Sequence, residues 1–67
     1  SRAAQKEIQK IERQLERLEG QESELHKEMA EHATDFARVA GLDAQLRDLA
    51  ARRDELETRW LELSEGG

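Results

Sequence analysis

The residues best suited to chemistry in this chain are bases in a regular pattern. Lys6, Lys10, Arg13 and Arg17 recur at steps of four, three and four, with Arg2 four residues ahead. On an α-helix those steps place them in one row on one face, about 22 Å long at ~1.5 Å rise per residue. Ammonium and guanidinium groups in such a row suit a repeated anion, and the phosphates of DNA or RNA are one. Arg2, Lys6, Lys10, Arg13 and Arg17 are therefore the candidate nucleic-acid-binding residues. The same spacing also fits an ordinary solvated coiled-coil face, and that alternative stands beside the first.

Other chemistry finds no foothold. The chain has no cysteine, no Gly-rich phosphate loop and no nucleophile elbow. Its internal hydroxyls, Ser23, Thr34 and Ser64, lack a His in helical register apart from the neighbours Thr34 and His32, and Ser1 is terminal. With 16 acidic residues, carboxylate pairs arise by chance on solvated faces and say nothing about acid–base work. No catalytic residue is expected, and the chain is read as a non-enzyme. His26 and His32 are six apart and do not share a helix face. Even with Glu28 they make at best a weak surface metal site, so both read as solvated or turn-packing residues and no metal is expected. Trp60 and Met29 fall at seam positions and read as core, since stacking of Trp60 on a base requires exposure.

The elements that must position the row follow from composition and periodicity. A chain of 67 residues, 40% charged and 36% apolar, is too short and too polar to enclose a pocket. It must spend its apolar residues on a single seam between helices. The net charge of −5 argues against nucleic-acid binding by the whole surface, which leaves local patches. No stretch approaches a membrane span, so no membrane partner is expected. The absence of cysteine is compatible with a cytoplasmic location.

Ile8, Leu15, Glu22 and Met29 occupy a positions of a heptad pattern, with Ile11, Leu18, Leu25 and His32 at d. Val39, Leu46, Arg53 and Trp60 form a second set of a positions, with Leu42, Leu49, Leu56 and Leu63 at d. The ten residues between Met29 and Val39 break the seven-residue frame, so a turn must separate two helices. The reading is all-α: a two-helix antiparallel coiled-coil hairpin, 1–67 as a single unit. Helix one covers about 3–32, the turn about 33–35, and helix two about 35–64. Thr34 or Asp35 caps the second helix, Gly66 and Gly67 close it, and Phe36 covers the tip. The expected layers are Met29–Leu42, Leu25–Leu46, Leu15–Leu56, Ile11–Trp60 and Ile8–Leu63. Glu22 and Arg53 lie in adjacent layers and either reach toward each other or bend to water. Asp43 with Arg47, Asp48 with Arg52 and Glu55 with Arg59 form i to i+4 pairs that neutralise helix two. Residues 1–18 keep five bases against three acids, while 19–35 carry one base against six acids.

The stretches KEIQKIERQLERLE at 6–19, ESELHKEMAEHATDFARVAGLDAQLRDL at 22–49 and DELETRWLELSE at 54–65 together resemble the C-terminal hairpin domain of ABC-F ATPases, Uup-like in type. The most distinctive parts are ATDF at the tip and Thr58-Arg59-Trp60 near the end. The resemblance covers nearly the whole chain and implies a C-terminal fragment of a larger ATP-binding cassette protein. It implies that ATP and magnesium bind the parent's cassettes, with no cofactor in this fragment. It also implies DNA, or ribosomal RNA and the ribosome, as partner, in a translation-related or DNA-binding role. Docking on the parent's own cassette domains, or a passive spacer, is the alternative. The isolated fragment is expected to be a monomer.

Overall fold

The computed structural model describes residues 1–66. Two helices, α1 (Arg2–Glu31) and α2 (Phe36–Gly66), fold back on one another into an all-α hairpin of 50 × 15 × 12 Å. The long dimension matches thirty residues of helix at ~1.5 Å per residue. Both helices are therefore continuous from the open end to the tip.

One seam holds the pair together. Every a and d position of both helices is buried or half-buried, including the polar Glu22 and Arg53. Among the described residues only Ile11, Leu42 and Leu56 are buried, and none of them completely. A two-helix unit has no third layer, so each seam side chain keeps one edge in water. The outer c and f positions of both helices are exposed throughout.

The termini and the turn are set by local hydrogen bonds. Ser1 caps α1: its Oγ accepts from the Ala4 backbone N–H at 3.2 Å, and its carbonyl accepts from Gln5 N–H at 3.0 Å. Of the two residues able to cap α2, Asp35 does so, its Oδ1 accepting from Arg38 N–H at 3.1 Å. His32 joins the two ends of the turn. Its N–H donates to the Glu28 carbonyl at 3.0 Å and its own carbonyl accepts from Asp35 N–H at 2.9 Å. α1 begins at Arg2 rather than about residue 3, because Ser1 supplies a cap there. α2 remains helical through Gly66, and Gly67 lies outside the described residues.

Two expectations require correction. Phe36 does not cover the tip: it is 82% exposed, because capping by Asp35 starts the helix with Phe36 on the flank, off the seam. Of the three pairs expected along α2, Asp43 with Arg47 forms at 3.0 Å, whereas Arg52 turns to Glu55 at 3.7 Å and Arg59 leaves Glu55 altogether. Exposed pairs three and four apart differ by only tenths of a kcal/mol, so spacing alone does not select among them.

Glu22 and Arg53 do reach toward each other. One Arg53 nitrogen, Nη1, donates to both Glu22 carboxylate oxygens, at 2.8 and 3.1 Å, and Arg53 Nε lies 3.6 Å from Glu57. The Glu22 side chain is only 15% exposed. A bridge at that depth is expected to show a coupling of roughly 0.5–1 kcal/mol in a Glu22→Ala/Arg53→Ala double-mutant cycle by urea denaturation. Gly20 is helical with open space where a Cβ would project. Gly20→Ala is accordingly expected to raise stability by about 1 kcal/mol in the same assay.

Candidate nucleic-acid interface

The row of bases lies on the outer face of α1, at c and f positions, because the a and d positions of the same turns are committed to the seam. Lys6, Lys10, Arg13 and Arg17 line one shallow depression together with Gln9 and Gln14. Arg2 lies one turn nearer the open end, does not line the depression, and extends the row along the helix. All five candidate residues are exposed. The two glutamines were not legible as part of the site; their amides add hydrogen-bond donors between the charges.

Charge pairing separates the two helices. Arg47, Arg52, Arg53 and Arg59 of α2 all sit in ion pairs, whereas none of Arg2, Lys6, Lys10, Arg13 or Arg17 does so among the described residues. The row is a set of uncompensated cations on a protein whose net charge is −5. Arg forks suit bidentate contact with phosphate oxygens, and Lys supplies mobile point charges.

One cross-helix contact, absent from the expected pairs, draws an acid away from the row. Glu7 sits between Lys6 and Lys10 in sequence and could neutralise Lys10 three residues on. Instead Arg59 draws it to the flank of the seam, with Nε to Oε1 at 3.1 Å and Nη2 to Oε2 at 3.4 Å, while Arg59 Nη1 bonds Glu62 at 3.3 Å. Both Glu7 and Arg59 occupy g positions, which meet along one flank of an antiparallel pair; that is the signal that could have found them. Hydrogen bonding to Glu7 first, and to Glu62 second, raises the Arg59 guanidinium above its ordinary, already high value, so it remains a cation at any working pH.

Neither aromatic side chain adjoins the row, so no stacking surface stands beside it. Trp60 is half-buried in the seam, and Phe36 stands at the far end of the hairpin, with Glu19, Glu24, Glu28 and Glu31 between the row and the tip. His32 is engaged in the turn through its backbone and is half-buried. No group of three or more His, Asp or Glu side chains among the described residues is placed to hold a metal. No helix among them is long and apolar enough to cross a membrane. Releasing Glu7 is expected to weaken polyanion binding: Arg59→Gln should lower affinity about twofold, the scale of one i to i+3 pair. Glu7→Gln added to Arg59→Gln should restore it, measured by anisotropy of a labelled oligonucleotide.

Comparison with known proteins adds one result. No curated protein and no solved structure gives a significant match. The family model described as the ABC transporter C-terminal domain matches residues 1–65. That match spans both helices and the turn, from the capping Ser1 to one residue short of the last helical position, and the chain belongs to the ABC transporter C-terminal domain family.

Proposed function

We propose that this hairpin is the non-catalytic interaction arm of an ABC-F ATP-binding cassette protein, Uup-like in type, and that it contacts the backbone of DNA or ribosomal RNA through Arg2, Lys6, Lys10, Arg13 and Arg17. Family membership makes it an accessory domain of an ABC protein. The observation that carries the rest is the pairing asymmetry: four of the five bases of α2 sit in ion pairs, two of them with acids of α1, while the row on α1 is left open. ATP and magnesium would act in the parent's cassettes, and a cytoplasmic setting follows from that role. Contact through phosphates alone makes the arm a positioning element with little sequence preference.

Affinity should then be modest and steeply dependent on salt. Each phosphate contact contributes about −0.9 to the slope of log Kobs against log[salt] on duplex DNA, so a row engaging three or four phosphates gives roughly −3 to −4. Titration of labelled DNA and RNA at two salt concentrations measures that slope. Reversal of Lys10, Arg13 and Arg17 to Glu is expected to abolish the salt-sensitive binding while leaving the helical circular-dichroism signal intact, because all three are exposed. Unchanged binding by that variant would remove the row from the argument.

A protein–protein reading has one observation in its favour. Phe36, 82% exposed on a turn held by backbone hydrogen bonds, presents an aromatic ring at the tip, where docking on the parent's cassette domains could use it. Loss of cassette association in Phe36→Ala, with nucleic-acid binding retained, would favour that reading.

A further inference from the structure

Beyond its charge excess near the open end, the outer face of α1 has a symmetry. The c positions read Lys10, Arg17, Glu24 and Glu31: two bases followed by two acids at seven-residue spacing. All four are exposed, and none makes an ion pair among the described residues. Such a column is complementary to itself when reversed. A twofold axis passing between Gly20 and Gln21 sets Arg17 against Glu24 of a second copy and Lys10 against Glu31 of a second copy, and the reverse contacts follow by symmetry. Four ion pairs form across one antiparallel helix–helix contact.

The centre of that contact is open. Gly20 has no atom within 4 Å of where a Cβ would lie, so two α1 backbones can approach there without a side chain intervening. Gly20 and Gln21 also line a groove between α1 and α2, bounded by Arg17 and Glu24, with the half-buried Leu25 and Leu49 at its base. The groove therefore places apolar surface beneath the charges at the twofold axis. Gln21 and Gln45, from the two helices, border it without charge, and Asp48 of α2 adds one exposed acid to its rim.

We infer that the outer face of α1 is a docking surface for a second copy of this chain, forming an antiparallel, twofold-symmetric dimer centred on Gly20 and Gln21. The contact is held mainly by exposed charge pairs, so it is weak and salt-sensitive, and the monomer expected from the sequence is its dissociated state. It covers Lys10 and Arg17, two members of the proposed phosphate-binding row. A polyanion and a second copy compete for them.

Sedimentation velocity of the chain at protein concentrations up to about 1 mM tests the inference, comparing about 20 mM salt, where the screening length is roughly 20 Å, with about 500 mM. A concentration-dependent shift from monomer toward dimer is expected at the lower salt and monomer at the higher. Glu24→Lys with Glu31→Lys should give a monomer under both conditions. Adding Lys10→Glu and Arg17→Glu reverses the whole column, restores complementarity and should restore the dimer. Helical signal by circular dichroism confirms that each exposed variant folds. A wild-type chain monomeric throughout at low salt, a persistent dimer in the Glu24→Lys/Glu31→Lys variant, or a fourfold variant that stays monomeric would each overturn the inference. Because the wild-type dimer is measured with no nucleic acid present, the phosphate reading can fail while this inference stands, and the reverse.

Discussion

Because the two helices meet along one seam, a single strip of side chains supplies the apolar burial between them. That constraint explains where almost every residue type falls. Leucine, isoleucine, valine, methionine and tryptophan fall chiefly at a and d, and the outer positions are left to charge and alanine. It also explains why only three of the described residues are buried, and none completely. A seam one layer thick has no interior, only a line of contacts with water on both sides. Polar groups in the line must then be matched across it. Glu22 and Arg53 meet at 2.8 Å, and in the absence of either partner a half-buried charge would face the leucines around it.

The flanks of the seam carry the information that the outer faces do not need for folding. Where g positions meet, Arg59 holds Glu7; within the seam Arg53 holds Glu22 and also reaches Glu57 on the flank. These contacts determine which charges are satisfied internally and which remain for a partner. The open row on α1 is thus partly a product of the seam, because α2 supplies the arginine that draws away the acid nearest to Lys6 and Lys10.

The hairpin was legible in the sequence because its signals are redundant. The seven-residue spacing names the seam, and the ten-residue gap between Met29 and Val39 demands a turn. Asp35 sits where a cap is needed. Single side chains at the ends were less legible. Phe36 reads as a tip cover from its hydrophobicity, yet three residues before the a-position Val39 it falls at an e position, on the flank, once the helix includes it. The partners of Arg52 and Arg59 depend on rotamers and on the opposite helix, which spacing within one helix does not encode. The five bases were legible as a row; that Gln9 and Gln14 fill the gaps between them, and that Glu7 is turned aside, required both helices in place.

The turn at His32–Asp35 has a consequence for how the molecule comes together and apart. It joins α1 to α2 over a short loop, so the first inter-helix layer closes at little entropic expense and each later layer adds only the next pair. Assembly of this kind resembles a zipper running from the tip toward the free ends. Opening runs the other way, beginning at the termini, where the Glu7–Arg59 contact is the last ionic clasp before the chain ends. The bases of α1 lie along that final stretch, so the part of the molecule that offers charge to a partner is also the part whose amides should exchange first.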